Sequence, residues 1–174
     1  MPLEEIALAD LDFNFANEFA TRYCLVSATR EGKTNMLTAA WGQVGFLWKR
    51  PVATLYIRPS RYTKEFMDAS GRFTISFIEG HEKDMIYLGR HSGRDGDKLA
   101  QTSLHLVDVD GDPTYEEASL VLVCKTIYVQ PLDLSCALDP AIESENYPNG
   151  DVSIQYIGQI EKVLTNGGAS ANPL

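Results

Sequence analysis

The chain has 174 residues, 44% hydrophobic and 22% charged, a balance typical of a soluble globular domain that buries its own core. Fifteen basic and 24 acidic side chains give a formal net charge of −9, which argues against nucleic acid or an acidic membrane as a partner. No apolar run approaches the roughly 18 residues that cross a bilayer, and the first residues are acidic, so we expect one cytoplasmic domain over residues 1–174.

Seven stretches have the apolar alternation or the β-branched and aromatic content of strands. They are residues 23–29, 35–44, 52–58, 72–78, 104–109, 120–129 and 152–164. Their short spacing predicts a mainly β, α+β fold organised as a barrel, with its core at about residues 20–164. The first two stretches are joined by Arg30-Glu-Gly-Lys33, a polar loop with glycine that predicts a hairpin.

Short helices are predicted between the strands, at residues 60–71, at 82–89 and from about Asp95 onward. Ser60 is the candidate N-cap of the first helix, and Gly71 is expected to end it. The side chains expected on one face of this helix are Tyr62, Phe66 and Ala69. The tail at 166–174 is expected to be mobile.

A basic cluster stands out in this acidic chain, since residues 49–64 contain a third of all basic side chains and no Asp or Glu. A predicted strand ends at Arg58 and leads directly into a helix N-terminus, where the first N–H groups have no intrahelical acceptor. Together with the hydroxyls of Ser60 and Thr63, the guanidinium groups of Arg58 and Arg61 can form a phosphate cradle. A capped helix with solvated basic residues is an equally consistent interpretation.

The strand around residues 34–42 combines small side chains with the large aromatic ring of Trp41. Small side chains let a flat ring approach the backbone, whose N–H and C=O groups can then bond to the polar edge of that ring. A core strand that needs small residues for packing is the alternative.

No metal site and no catalytic acid, base or nucleophile are predicted. Asp108, Asp110 and Asp112 alternate as in a calcium loop, but Pro113 and Ser119 occupy positions that require Gly and Glu. The three histidines have no i, i+4 pairing.

Five segments between residues 35 and 98 together resemble the flavin reductase-like family and specifically its flavoredoxin-type members, and the resemblance covers about residues 20–160. They are Asn35-Met-x-Thr-Ala-x-Trp41-Gly42, Trp48-x-x-Pro51, Ile57-Arg-Pro-Ser-Arg-Tyr-Thr63, Gly71-x-Phe-Thr-Ile-Ser-Phe77 and Ser92-Gly-Arg-Asp-x-Asp-Lys98. The resemblance implies an antiparallel split β-barrel, FMN held non-covalently, and a homodimer. The apolar segment Phe46-Leu-Trp48 is also consistent with a dimer, although it could fill the barrel of the monomer.

The resemblance also implies a set of cofactor-binding residues. Those expected beside the isoalloxazine and the ribityl chain are Asn35, Thr38, Ala39, Ala40 and Trp41. Those expected around the phosphate are Arg58, Ser60, Arg61, Tyr62 and Thr63. Ser92, Gly93, Asp97 and Lys98 are expected to approach from the opposite side. The helix predicted from Asp95 could instead make Lys98 a surface residue paired with Asp95.

The implied function is an oxidoreductase that passes electrons from NAD(P)H through FMN to a flavin, a metal complex or a protein. Members of the family often carry a histidine just before the last strand, where this chain has Ser153. Nicotinamide use is therefore less firmly implied than flavin binding. Two alternatives are an FMN electron carrier reduced by a partner protein, and a split barrel that binds another phosphate-bearing ligand such as a pyridoxal derivative.

Overall fold

The computed structural model describes residues 2–167, which form ten strands and four α-helices. The strands are β1 (Glu4–Ile6), β2 (Cys24–Arg30), β3 (Lys33–Ala39), β4 (Gly42–Leu47), β5 (Arg50–Ile57), β6 (Arg72–Ile78), β7 (Leu106–Val109), β8 (Asp112–Tyr115), β9 (Ala118–Pro131) and β10 (Ile154–Thr165). The helices are α1 (Phe15–Thr21), α2 (Thr63–Ser70), α3 (Glu82–Arg90) and α4 (Ala141–Asn146).

Eight strands form one antiparallel sheet in the order β3-β2-β6-β9-β10-β5-β4, with β1 added beside β10. Within the described residues the terminal strands β3 and β4 do not pair with each other, so the sheet stays open. The predicted antiparallel split barrel is confirmed. Strands β7 and β8 form a separate ribbon, which a bidentate ion pair from Arg72 to Asp112, at 2.9 and 2.8 Å, ties to the sheet.

The predicted strands are confirmed, except that one predicted strand is two strands in the structure. The stretch predicted at 35–44 is two strands, because the chain leaves the sheet at Ala40 and Trp41 before β4 begins. The predicted β2–β3 hairpin is confirmed: Glu31 and Gly32 have φ of 51° and 73°, as a two-residue type I′ turn requires. Strands β1 and β8 were not predicted, since three or four residues carry too little periodicity.

Two hydrophobic clusters cover the two faces of the central strands. Successive residues of β9 alternate between them, so that Leu120 and Leu122 belong to one cluster and Val121 and Val123 to the other. Helix α2 covers the first cluster and α3 the second. Burial on both faces explains why the sequences of these strands are continuous apolar runs. The packing on both faces also holds the sheet in place.

The helix predictions need three corrections, and two of them concern α2. Helix α2 begins at Thr63, because Ser60 and Arg61 form a separate turn in which the Arg61 N–H donates to the Arg58 carbonyl. Its buried face contains Phe66 and Met67, while the expected Ala69 is exposed. Gly71 ends the helix in the left-handed region, as predicted, with φ of 64°.

The helix expected from Asp95 is only the short 3-10 turn Leu99–Gln101. Gly96 has φ of 140°, which no helix accommodates. Helix α3 agrees with the prediction to within one residue, whereas α1 and α4 were not predicted. Among the described residues, no helix combines the length and the apolar character that a membrane span requires. From residue 168 onward, the tail predicted at 166–174 lies outside the described part of the chain.

Candidate functional site

Two adjoining cavities lie where β3 and β5 end. The first, which we call the basic cavity, has a volume of about 120 Å³ and is lined mainly by β3, the start of α2 and the loop after α3. The second, the aromatic cavity, has a volume of about 160 Å³ and is lined by the end of β3, the end of β5 and Ser153. Leu37 and Arg61 line both cavities and therefore lie at the boundary between them.

The structure brings together thirteen of the fourteen residues that the family resemblance assigned to the site. Those in the basic cavity are Asn35, Ser60, Arg61, Tyr62, Thr63, Ser92, Gly93 and Lys98. Those in the aromatic cavity are Thr38, Ala39, Ala40, Trp41 and Arg58. Asp97 lies outside both, because its exposed carboxylate accepts hydrogen bonds from the N–H groups of Leu99 and Ala100.

Three elements meet tightly at the wall of the basic cavity. The buried Asn35 amide on β3 donates a hydrogen bond to the Thr63 hydroxyl at the start of α2, at 3.0 Å. Gly93, in the loop after α3, approaches the same amide so closely that a Cβ there would lie 2.1 Å from its Oδ1. Only glycine fits at this contact, which fixes the loop against β3.

Two of the cations that line the basic cavity, Arg61 and Lys98, are held by the end of α3. The Arg61 guanidinium donates to the Gly89 carbonyl at 2.9 Å. The Lys98 ammonium donates to the carbonyls of Leu88 and His91, at 2.8 and 2.9 Å. Carbonyl groups at a helix C-terminus lack intrahelical donors and carry partial negative charge, so they orient cations without neutralising them.

Neither cation has a carboxylate partner among residues 2–167, and the same is true of Arg58. Burial, together with repulsion from Arg58, lowers the pKa of Arg61. Burial, together with repulsion from Arg61, lowers the pKa of Lys98 to about 8. An anion in the cavity would compensate both charges, so these residues fit a phosphate group. Lys98 is buried and does not pair with Asp95 at the surface.

Ser60 has a partner that the sequence did not indicate. Its hydroxyl and its N–H group both donate to the carboxylate of Asp151, the N–H at 3.1 Å. The predicted phosphate cradle requires both of these donors, but in the structure the Asp151 carboxylate accepts from them. Because Asp151 lies 91 residues further along the chain, only the pairing of β5 with β10 brings it there.

Arg58 and Trp41 line the aromatic cavity and form a cluster with Tyr147, which lies beside it. The Arg58 guanidinium lies 5.8 Å from the Trp41 ring centroid and 5.4 Å from that of Tyr147, and the two rings meet edge to face. The guanidinium also donates to the Asn146 carbonyl at the end of α4, at 2.8 Å. Sequence reasoning missed Tyr147, and only its aromatic character within a polar Pro/Gly loop could have signalled it.

Small side chains form the opposite wall of the aromatic cavity. Ala39 and Ala40 leave room beside the backbone. The Thr38 hydroxyl points to α3, where it donates to the Met85 carbonyl at 2.6 Å. This wall therefore presents few side-chain hydrogen-bonding groups to a ligand, and its shape suits a flat ring.

A separate cluster of possible metal ligands joins His105 with Glu116 and Glu117, whose ligand atoms lie within 4.8 Å of one another. Sequence spacing did not indicate it, because the ribbon of β7 and β8 brings the two ends together. His105 Nδ1 lies 2.6 Å from Glu117 Oε1, and this hydrogen bond raises the pKa of the exposed histidine. The contact closes the base of the ribbon.

An open antiparallel barrel with an anion cavity beside a flat, small-walled cavity defines a split-barrel protein suited to a ligand with a phosphate and a planar ring. The chain belongs to the flavin reductase-like domain family, whose model matches residues 16–174. The predicted family membership is therefore confirmed, while the roles of individual residues remain predictions. No curated protein matches the chain significantly.

Solved structures share the fold at low sequence identity. An FMN-binding domain of a flavin reductase-like enzyme from Shewanella baltica is 21% identical with a TM-score of 0.67, covering 94% of this chain and 77% of that one. Flavoredoxin of Desulfovibrio vulgaris is 23% identical with a TM-score of 0.64, covering 83% and 69%. An NADH:FAD oxidoreductase of Streptomyces globisporus is 14% identical with a TM-score of 0.61, covering 82% and 74%.

Proposed function

We propose that the protein binds FMN in the two adjoining cavities and acts as a flavin reductase-type oxidoreductase. The observation that carries this proposal is the set of three cations, Arg58, Arg61 and Lys98, that donate only to backbone carbonyls beside a cavity with small walls. Uncompensated cations that are largely removed from water are costly unless a ligand supplies the opposite charge. FMN has both the anion and the flat ring that the cavities accommodate.

Each cavity has its own part in holding the cofactor. Arg61 and Lys98 would bind the phosphate, while Asn35 and Gly93 form the wall on which it rests. Ala39, Ala40 and Trp41 would flank the ring. Bound FMN supplies the hydride and electron chemistry, so the protein contributes position, polarity and partial exclusion of water.

The direct test is flavin binding. Protein purified after FMN supplementation should be yellow and should hold about one FMN per chain, and added FMN should lose fluorescence as it binds. A colourless preparation that leaves FMN fluorescence unchanged would reject the proposal. The visible spectrum also distinguishes FMN from the alternative, a pyridoxal-type ligand, because the absorption of such a ligand differs from that of a flavin.

NAD(P)H is the proposed electron donor, with a flavin, a metal complex or a protein as acceptor. Family membership and the likeness to an NADH:FAD oxidoreductase support this donor. The likeness to flavoredoxin and the presence of Ser153 where relatives often have histidine favour a second candidate, an FMN carrier reduced by a partner protein. Steady-state oxidation of NADH and NADPH by FMN-loaded protein separates the two, since a carrier alone would show no turnover.

A homodimer is proposed from the tip of the β4–β5 hairpin. Phe46 and Trp48 are 75% and 57% exposed, and the Trp48 ring packs edge to face on Tyr128. Trp48 and Lys49 have φ of 52° and 61°, the two positive values of a type I′ hairpin turn, and this turn places Trp48 at the exposed tip. A partner chain on this apolar tip would bury side chains that are otherwise in contact with water.

Light scattering at micromolar concentration should give twice the 19.3 kDa mass of the chain. Phe46→Ser should shift the population towards monomer. Leu138→Ser removes an equally apolar side chain that is 98% exposed elsewhere and serves as the matched control. A wild-type species of 19.3 kDa would reject the dimer.

A further inference from the structure

Two side-chain hydroxyls in the described part of the chain are buried without a hydrogen-bond partner: Thr126 Oγ1 and Ser153 Oγ. Buried polar groups in folded proteins almost always have partners, because an unsatisfied one has lost its water without replacement. A buried hydroxyl without a protein partner therefore calls for a packing explanation or a ligand. The two residues differ in their position relative to the cavities.

Ser153 lines the aromatic cavity, whereas Thr126 lines neither of the two cavities. Ser153 is fully buried, and its carbonyl accepts from the Leu132 N–H at 3.0 Å just before β10. The backbone of Ser153 is thus anchored beside the cavity.

The other hydroxyls on this cavity are already engaged within the protein. Thr38 donates to the Met85 carbonyl, and the Tyr56 hydroxyl accepts from the Gln155 amide at a long 3.5 Å while keeping its own donor. Of the hydroxyls that line the aromatic cavity, Ser153 is the one that is buried without any partner among the described residues. A hydroxyl can donate one hydrogen bond, and a flat heteroaromatic ring offers nitrogen and carbonyl oxygen acceptors at its edge.

We propose that Ser153 Oγ donates a hydrogen bond to a carbonyl oxygen of the isoalloxazine ring, and that it favours the reduced flavin over the oxidised flavin. The proposal rests on the proposed function, FMN binding in the adjoining cavities. Reduction places more negative charge on the ring carbonyl oxygens, so a donor there stabilises the reduced flavin and Ser153 raises the midpoint potential. Because the bond involves the ring, it affects FMN and riboflavin alike.

The test compares Ser153→Ala with Thr126→Val, which removes the other unpartnered hydroxyl and leaves both cavities intact. Loss of one neutral hydrogen bond should weaken the binding of both oxidised flavins by about 2- to 12-fold. Ser153→Ala should also shift the flavin absorption bands and lower the midpoint potential, by about 30 mV for each tenfold change in the preference for reduced flavin. Thr126→Val should match wild type in every measurement.

The outcomes separate this inference from the proposed function. A wild-type protein that binds no flavin overturns both. If wild type binds FMN while Ser153→Ala keeps flavin affinity, spectrum and potential unchanged, FMN binding stands and the role of Ser153 is overturned. A loss confined to FMN would also overturn it, since that pattern assigns Ser153 to the phosphate.

Discussion

The basic cavity and the aromatic cavity share Arg61 but differ in how they would hold a ligand. In the basic cavity, Arg61 and Lys98 donate to the carbonyl groups of one helix end and lack carboxylate partners within the described part of the chain. In the aromatic cavity, Arg58 and Arg61 lie beside small side chains, the rings of Trp41 and Tyr56, and one hydroxyl that has no partner among the described residues. Cations line both cavities, and the small and aromatic walls of the second cavity add a surface that suits a flat ring.

Binding of the phosphate and binding of the ring should therefore respond differently to substitutions and to pH. A phosphate held by a few charge-assisted hydrogen bonds depends strongly on single residues and on protonation. A ring held by dispersion and close contact distributes its binding energy over many neighbours. FMN and riboflavin differ by the phosphate alone, so the pair of ligands measures each cavity separately.

The largest effect is expected for Arg61→Ala. Loss of hydrogen bonds to a charged group costs roughly 1.5–3 kcal/mol, which corresponds to a Kd for FMN about ten- to 150-fold higher. Lys64→Ala is the matched control, since Lys64 pairs with Asp68 at 2.6 Å on the surface of α2 and should change Kd by only about a factor of a few. Fluorescence titration gives both values. Equal losses for FMN and riboflavin would place Arg61 away from the phosphate.

The second prediction concerns pH and Lys98. Its pKa of about 8 means that the ammonium loses its proton as pH rises from 7 to 9, so FMN affinity should fall by about tenfold over that range. Lys98→Met should abolish the dependence, and riboflavin should show none. The unliganded protein should respond with the opposite sign: its stability should rise above pH 8, because the unfolded chain retains this proton to higher pH. An FMN affinity that is flat from pH 7 to 9 would contradict the role of Lys98.

A smaller effect is expected for Trp41→Ala, which tests the aromatic cavity. Aromatic pairing contributes about 0.5–1.5 kcal/mol, so FMN and riboflavin should each bind about 2- to 12-fold more weakly. The ratio of the two Kd values should stay at its wild-type value. A loss limited to FMN would mean that Trp41 acts by orienting Arg58, whose guanidinium lies 5.8 Å from the Trp41 ring.

The smallest effect is expected for Asp151→Asn, which should strengthen FMN binding by about a factor of two to five. The carboxylate of Asp151 accepts from both donors of Ser60 and places negative charge beside the basic cavity. Removing that charge reduces repulsion of the phosphate, while the amide oxygen can still accept from Ser60. Weaker FMN binding by the variant would show instead that Asp151 is needed to position the turn. Riboflavin affinity should not change.

Sequence patterns were sufficient to predict the family, the antiparallel strands and most of the residues that line the cavities. Local signals sufficed for these features. The run from Arg58 to Thr63 places basic and hydroxyl side chains at the end of a strand, and Glu31-Gly32 satisfies the backbone requirements of a tight hairpin. Side-chain type and short-range spacing are properties of neighbouring residues, and they can be read before the chain folds.

The internal partners of these groups could not be predicted from the sequence, because they depend on the tertiary structure. Asp151 reaches Ser60, and the Asn146 carbonyl reaches Arg58, across separations of 91 and 88 residues. Such contacts depend on the register of β10 against β5 and on the path of the loop that carries α4. The same packing buries Lys98 and leaves the Ser153 hydroxyl without a partner among residues 2–167, because burial and hydrogen-bond satisfaction depend on every element that surrounds a side chain.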